Sequence, residues 1–343
     1  MSYTVTNRTS GQHFTVDDDE SILDAALRQG RVMPYSCRSG TCGTCKSTLV
    51  SGLVDYGTYE TQAMTEEEKN NGYVLICQAK PLEDIVIDAR EVAAAANITI
   101  KTLPCRVLRM EKLAHDVMCL HLKLPQGQDL TYLAGQYIDI ILRNGKRRSF
   151  SLATRAQSDQ DLQIHVRHVP NGQFTGHVFS NMKEKDLLRM QGPLGTFFLR
   201  QESERPIILM AGGTGFAPIK SILEQAFNDG VERPIHLFWG VRAARDLYLH
   251  ELADKWAHEH TKLTYTPVLS EPSDEENWSG ETGWVHDSVV AHHPDLSNFE
   301  IYASGPPPMI EAGKTAFAAH GLDSENLYYD SFEFAVDSTT TAS

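Results

Sequence analysis

No apolar run in the 343 residues approaches the roughly 20 that a membrane-spanning helix needs. The opening residues alternate as a strand does, through Tyr3 and Val5, and lack the basic and apolar regions of a secretory signal. Reducing cytoplasm is therefore the expected compartment. Lys and Arg number 31 against 45 Asp and Glu, a formal net charge of −14, and no basic stripe is visible, so nucleic acid is not an expected partner. No internal repeat is present, which argues against solenoids and arrays. Cysteine is scarce, six residues in all, and a C-x2-C pair occurs once, so the double knuckle of a structural zinc site is missing.

Four of the six cysteines nevertheless form a pattern. Cys37, Cys42 and Cys45 stand in Ser-Cys-Arg-Ser-Gly-Thr-Cys-Gly-Thr-Cys, and Cys77 follows in Val-Leu-Ile-Cys-Gln, read as a strand that returns the fourth thiol. This C-x4-C-x2-C…C spacing is that of plant-type 2Fe–2S centres. The irons need four thiolates close together, so the loop that carries three of them must bend sharply. Gly40 and Gly43 allow this because they carry no Cβ, and the loop N–H groups can then point at the sulfurs. Such a centre moves one electron at a time, so redox work is expected. A zinc ion or a disulfide is the alternative use of these thiols. Cys105 and Cys119 are left over and read as reduced thiols in or near strands. Cys119-Leu-His121 resembles half of a Rieske pair, but no second half follows.

Length and pattern predict a multidomain chain, part α+β and part α/β. Residues 1–93 read as short strands, a helix, the cysteine loop, a second helix and closing strands. Ser21 with Asp24 starts the first helix and Gly30 stops it; Thr65 with Glu68 starts the second and Gly72 stops it. Residues 94–101 read as a linker. Residues 102–202 carry period-two runs, Ile138-Asp-Ile-Ile-Leu142 and Leu162-Gln-Ile-His-Val-Arg-His-Val169, with glycine turns between strands, which predicts a small antiparallel barrel. Residues 203–336 alternate strand and helix, from Pro206-Ile-Ile-Leu-Met210 through a helix at Ile219 to Phe227, then Ile235–Trp239, Leu263–Leu269 and Glu300–Ser304. That is the pattern of a parallel sheet covered by helices. Residues 337–343 are small and polar and are expected to be a disordered tail. The acidic runs Asp17 to Glu20 and Glu66 to Glu68 either steer a basic protein partner or are solvated surface.

Several short motifs point to nucleotides. In Ala211-Gly-Gly-Thr-Gly-Phe-Ala-Pro218, the residues Gly212, Gly213, Thr214 and Gly215 let the backbone approach a ligand, and the helix start that follows offers N–H groups to a diphosphate. The G-x-G-x-x-G fingerprint is absent, since Ala217-Pro218 stands where the last glycine would be. Ser304-Gly-Pro-Pro-Pro-Met309, with Gly305, Pro306 and Met309, ends a later strand, where open parallel sheets bind ligands. In Arg148-Ser-Phe-Ser151, Arg148 can pair a flavin phosphate bidentately. Phe150 can lie on the flavin ring system, Ser151 can reach its N5, and Ser149 completes the run. Gly172-Gln-Phe-Thr175, with Gln173 and Phe174, starts a helix and offers a second set of donors. Taken singly, each motif is also compatible with an ordinary strand end and turn.

In this order the motifs resemble the ferredoxin–NADP⁺ reductase superfamily, in its fused iron–sulfur flavoprotein branch. Arg148-Ser-Phe-Ser151 is similar to its Arg-x-Tyr/Phe-Ser/Thr flavin motif, Ala134-Gly-Gln-Tyr137 to the strand before it, and the Ala211–Pro218 and Gly305–Met309 runs to its nicotinamide signatures. The order ferredoxin, flavin, nicotinamide resembles reductase components of bacterial ring-hydroxylating dioxygenases and multicomponent monooxygenases. It also resembles CDP-6-deoxy-glucoseen reductases, which serve a sugar dehydrase. The resemblance implies a β-grasp 2Fe–2S ferredoxin domain, a flavin-binding antiparallel β-barrel and a parallel α/β nicotinamide-binding domain. It implies an NAD(P)H-dependent oxidoreductase that passes a hydride to FAD, the usual flavin of ferredoxin-first members, and single electrons through the cluster.

The implied acceptor is a protein docking near the ferredoxin domain: an oxygenase or hydroxylase component, or alternatively a sugar dehydrase. A non-catalytic iron–sulfur regulatory protein would require degenerate flavin and nicotinamide motifs, whereas Arg148, Ser151 and the glycines are all present. Ser151 and Ser304 are the candidates beside the flavin N5 and the nicotinamide. Phe332, in Tyr329-Asp-Ser-Phe332, matches the family's terminal aromatic or is a plain core residue. Two positions depart from the family: Ser304 stands where cysteine is frequent, and Phe150 where tyrosine is commoner. NADPH members usually place an arginine where Glu271 stands. A carboxylate repels a 2′-phosphate and can accept a ribose hydroxyl, so NADH is expected over NADPH, with Arg242 and Arg245 after another strand as the rival phosphate ligands.

Overall fold

The computed structural model describes residues 2–157 and 161–332, so the expected tail lies outside the described residues. The chain divides at Thr99/Ile100 into two compact units. In the first, β1 (Ser2–Asn7), β2 (Gln12–Asp17), α1 (Ile22–Arg28), β3 (Lys46–Ser51), β4 (Val54–Asp55), α2 (Glu66–Asn70), β5 (Tyr73–Leu75), β6 (Lys80–Pro81) and β7 (Ile85–Asp88) follow in order. The main sheet runs β2-β1-β7-β3-β5, with β1 and β7 parallel and the other pairs antiparallel, and β4 and β6 pair separately. Period two buries Phe14 and Val16 of β2, and α1 buries Ile22, Leu23, Ala25 and Ala26. Ser21 caps α1 by accepting the Asp24 N–H at 3.1 Å, while the Asp24 carboxylate turns outward to Arg38. Thr65 and Glu68 form a full capping box on α2.

The fourth cysteine is not in a strand as expected. β5 ends at Leu75, and Cys77 sits in the turn that follows. The first amides of α1 have no partner within the helix. Ile22 N–H donates instead to Ala79 O at 3.0 Å and Leu23 N–H to Ile76 O at 2.8 Å, which bends the chain around Cys77.

The second unit begins with β8 (Lys101–Lys112), β9 (Val117–Lys123), β10 (Tyr137–Ile141), β11 (Arg147–Ser151), β12 (Leu162–Arg167), α3 (Gln173–Ser180) and β13 (Leu187–Leu194). These strands form an antiparallel sheet, β11-β10-β13-β8-β9-β12, over a core of residues such as Val107, Leu120, Ile138 and Ile164. Among the described residues the expected barrel is not closed by a continuous ladder; its edges meet at the isolated bridge Leu152↔Ile164, the Ala153 N–H to Gln163 O bond and the Gln163 N–H to Thr154 Oγ1 bond.

The same unit continues with β14 (Ile207–Gly212), α4 (Phe216–Asn228), β15 (Ile235–Val241), α5 (His250–Glu259), β16 (Leu263–Leu269), β17 (Glu281–Thr282), α6 (Val285–His292), β18 (Glu300–Gly305), α7 (Pro307–Ala319) and β19 (Leu327–Ser331). Every pairing in the order β17-β16-β15-β14-β18-β19 is parallel. Both faces are covered. Ile207, Leu209 and Ala211 pack with Ile219 of α4 and Trp256 of α5, whereas Ile208 and Met210 pack with Val289 of α6 and Ile310 of α7. Among the described residues no helix is long and apolar enough to cross a membrane.

Two histidines are held neutral inside this unit. His165 of β12 meets the Tyr248 hydroxyl at 3.0 Å, and burial, reinforced by Lys220, pushes it down to about 3. His236 of β15 lies 2.9 Å from both Thr266 Oγ1 and His293 Nε2, and burial with the two neighbouring histidines pushes it down to about 3. Below about pH 6.5 the unfolded chain binds protons that these groups refuse, so stability rises with pH between about 3 and 6.5 and is lost on acidification. Thermal midpoints are expected to be flat from neutral pH upward and to fall below about pH 6.5. Each histidine contributes a slope of up to about 1.4 kcal/mol per pH unit, which His165→Phe removes for its share. A midpoint constant down to pH ~5 would contradict this assignment.

Candidate functional site

Cys37 is half-buried, and Cys42, Cys45 and Cys77 are buried. Gln78 of the Cys77 turn donates from Nε2 to Arg38 O at 3.0 Å, and Ile76 N–H donates to Cys45 O at 3.4 Å, so the distant turn is tied to the loop at two points. The thiols then couple two by two. Hydrogen bonding with Cys42 pulls Cys37 down to about 4 and pushes Cys42 up, and Cys77 is lowered by Cys45 in the same way. Two pairs are what two irons with two thiolates each require. Convergence of the four on a single zinc ion is not seen: among the described residues, the group of three or more potential ligand atoms mutually within 4.8 Å lies elsewhere. Ser39 N–H points at Cys37 Sγ at 3.4 Å, and Gly40 N–H at the Cys77 sulfur. Gly40 has φ +76°, and a Cβ there would lie 2.6 Å from Thr58 O, so the tight loop depends on it. Cys105 and Cys119 are buried in β8 and β9 with their thiols pushed up to about 12 by burial, which leaves them unreactive.

The parallel sheet provides the second site. From β14 the chain adds β15, β16 and β17 on one side and then returns to place β18 and β19 on the other. The carboxyl ends of β14 and β18 therefore flank the switch point, where a ligand crevice is expected. Gly213–Gly215 form a 3-10 turn there, supported by Trp239 Nε1 donating to Gly213 O at 3.0 Å. A Cβ on Gly215 would lie 2.0 Å from Ser304 O, so no other residue fits without moving the β18 end. Met309 packs its sulfur where a Cβ of Gly212 would stand, and thus supports the turn and Gly305 from the side.

Ser304 is fully buried, and its Oγ has no hydrogen-bond partner among the described residues. Asp330 stands beside it in the β18–β19 register and accepts the Ser151 hydroxyl at 3.1 Å. Phe332 continues that pairing, its N–H donating to Gly305 O at 2.9 Å. Of the residues expected from the sequence, Ser151 thus bonds the Asp330 carboxylate, Ser304 is the register partner of Asp330, and Phe332 follows Asp330 by two residues.

The other expected flavin contacts separate. Ser149 gives its hydroxyl to Asp139 at 2.7 Å, while Phe150, on the opposite face of β11, packs its ring 5.3 Å from Phe174. Arg148 is half-buried and donates from Nη1 to Arg147 O at 2.8 Å. At α3, Phe174 is a core residue, Thr175 Oγ1 bonds back to Val169, and Gln173 accepts from Asn144 at 3.2 Å.

Sequence reasoning missed Arg167 and Asp330. Arg167 Nε donates to Asp116 Oδ2 at 2.7 Å, and Nη1 lies 2.7 Å from where a Cβ of Gly213 would be, over the glycine-rich turn. In the sequence it is merely the polar member of an alternating strand. Asp330 had a signal, standing two residues before Phe332. Lys220 and Ser221 of α4 were also missed. They donate to Ala153 O, at 2.8 Å for Lys220 Nζ, and to Thr154 O, which fixes the chain just after Ser151. Glu271 is exposed, and its N–H donates to Arg242 O at 2.8 Å, so the two residues are backbone neighbours just past the ends of β16 and β15.

Three family models match in succession: a 2Fe-2S iron-sulfur cluster binding domain over residues 5–82, an oxidoreductase FAD-binding domain over 104–199 and an oxidoreductase NAD-binding domain over 209–315. The chain is 42% identical over 332 residues to the CDP-6-deoxy-L-threo-D-glycero-4-hexulose-3-dehydrase reductase of Yersinia pestis, covering 97% of this chain and 99% of that one. It is 34% identical over 342 residues to the phenol 2-monooxygenase reductase component of a Pseudomonas species, covering 98% and 96%. Among solved structures, a cytochrome P450 reductase from Amycolatopsis superposes with a TM-score of 0.79 at 33% identity, covering 96% and 98%. Matched across nearly its whole length by such relatives, the chain belongs to the fused 2Fe–2S, FAD and NAD reductases of the ferredoxin–NADP⁺ reductase superfamily.

Proposed function

We propose that the protein takes electrons in pairs from NADH and delivers them singly to a separate acceptor protein at its cysteine-bearing unit. The observation that carries this reading is the meeting of Ser151, from the flavin-binding sheet, with Asp330 beside Ser304 at the nicotinamide-sheet crevice. When bound, the flavin converts a two-electron donor into a one-electron exit and the cluster supplies that exit. The chain's own residues orient. Asp330 holds the Ser151 hydroxyl in one direction, and Ser304, lacking an internal partner, has a hydroxyl free for a bound ring. Arg167, fixed by Asp116 over Gly213, is placed to meet a diphosphate. Arg148 and the α3 start serve the flavin phosphate, and Phe332 covers the ring. Cys37, Cys42, Cys45 and Cys77 hold the cluster.

Glu271 supports NADH, although Arg242 stands next to it. Four cysteines placed for a cluster and two buried as thiols, Cys105 and Cys119, support a reducing compartment, the cytoplasm. An acceptor docking on the first unit is supported by half-exposed Cys37 and by Leu53 and Leu82, bonded neighbours that are 63% and 55% exposed. The acidic runs contribute less than their charge suggests, because Glu20 pairs with Arg28, Asp19 with Lys80 and Glu68 with Lys46. An oxygenase or hydroxylase component is the acceptor indicated by relatives such as the phenol monooxygenase and terephthalate dioxygenase reductases. A sugar dehydrase is the second reading, favoured by the 42% identity to the Yersinia protein. Reconstitution with purified components of each class decides between them, the true acceptor being the one whose turnover consumes NADH stoichiometrically.

Stepwise NADH addition is expected to bleach flavin and cluster absorbance together, with a kcat/KM that favours NADH over NADPH. Glu271→Arg should move that ratio toward NADPH by about tenfold or more, the worth of one charge-assisted contact; an unmoved ratio would place the ribose elsewhere. Cys77→Ser should lose the cluster spectrum yet keep flavin and NADH–ferricyanide activity, and loss of flavin as well would refute independent folding of the units. Asp330→Asn should slow flavin reduction by about 10- to 100-fold in stopped flow with the cluster spectrum unchanged, whereas a normal rate would remove Asp330 from the reaction.

A further inference from the structure

Outside the crevice, one group of side chains converges without an evident use. His115 and Asp116 lie in the turn between β8 and β9, and Asp246 lies in the 3-10 turn Ala244–Asp246 after β15. Their ligand atoms are mutually within 4.8 Å, with His115 Nδ1 3.8 Å from Asp116 Oδ1 and 3.9 Å from Asp246 Oδ1. These separations are too long for hydrogen bonds. Asp116 Oδ1 is shut off from solvent and has no hydrogen-bond partner among the described residues. Asp246 is only 8% exposed; its Oδ2 accepts the Ala243 N–H at 3.2 Å, while its Oδ1 has no hydrogen bond among the described residues. One buried carboxylate oxygen left without a donor, with a second carboxylate turned toward the same imidazole, is costly unless something fills the space between them.

We propose that His115, Asp116 and Asp246 form a site for a divalent transition-metal ion that clips the flavin-binding sheet to the nicotinamide-binding sheet. One imidazole and two carboxylates are a donor set that suits zinc, with water completing the shell. Magnesium and calcium prefer oxygen donors alone, and calcium more of them. His115 is exposed and gives the ion its way in. Arg167 bonds the other oxygen of Asp116, and its charge opposes a cation, but two carboxylates against one guanidinium still leave the pocket negative. The remaining Asp116 oxygen is thus the one free for the ion, so binding does not require Arg167 to leave Gly213.

Isothermal titration of zinc chloride into the oxidised holoprotein is expected to show one ion per chain and a raised thermal midpoint, with flavin and cluster spectra unchanged. His115→Ala and Asp246→Asn, each first matched to the unsubstituted protein in spectrum and zinc-free midpoint, should weaken binding by about tenfold or more. His292→Ala, which removes an imidazole from the separate group of His236, His292, His293 and Glu281, should bind zinc as before. The proposal is overturned by the absence of stoichiometric binding, by undiminished affinity in both His115→Ala and Asp246→Asn, or by loss of binding in His292→Ala.

Discussion

The carbonyl of Ser304 lies so close to Gly215 that a single added Cβ would stand 2.0 Å from it. That contact joins the ends of β14 and β18 at the switch point, and the arrangement of the site follows from it. Ser304 is sealed from solvent there, and the parallel pairing of β18 with β19 carries Asp330 to its side. Asp330 in turn receives Ser151 from a different sheet. A buried hydroxyl left unpaired, as at Ser304, costs about 1–3 kcal/mol, a cost usually retained where a ligand completes the bonding.

A second layer of polar contacts holds the flavin-binding sheet against the nicotinamide-binding sheet. Lys220 is buried, yet its ammonium is satisfied by Ala153 O at 2.8 Å and Glu224 at 2.6 Å, so a charge that would be ruinous alone becomes a fastening. His165 with Tyr248 adds an uncharged link of the same kind. Asp116 holds Arg167 over Gly213. These bonds are directional, so they fix relative orientation and not merely contact, which is what close placement of two cofactors requires. The cysteine-bearing unit solves its own problem separately: the unpaired amides at the start of α1 bend the chain around Cys77.

Much of this was legible in the residue order. The capped starts of α1 and α2 at Ser21 and Thr65, the glycine-rich turn before α4 and the period-two strands around Ile138 and Ile164 were readable because each depends on neighbours within a few positions. The strand around Cys77 was misread because the run is apolar, while its conformation is set by amides some 55 residues away in the chain, between Leu23 and Ile76 for example. Ser149, Phe174 and Thr175, expected by motif to meet a ligand, make contacts with Asp139, the core and Val169 that the motif did not reveal. Side-chain direction within a strand depends on which partner lies on which face.

The amino-acid order by itself determined the available chemistry: four thiols at cluster spacing, glycines where a phosphate must approach, and helices and strands alternating into a parallel sheet. These are local properties of spacing, turn residues and periodicity. Tertiary structure alone decided which groups meet. Ser151 reaches Asp330 across 179 residues and Arg167 lies over Gly213, because sheet register and sheet packing, and not proximity along the chain, set those distances.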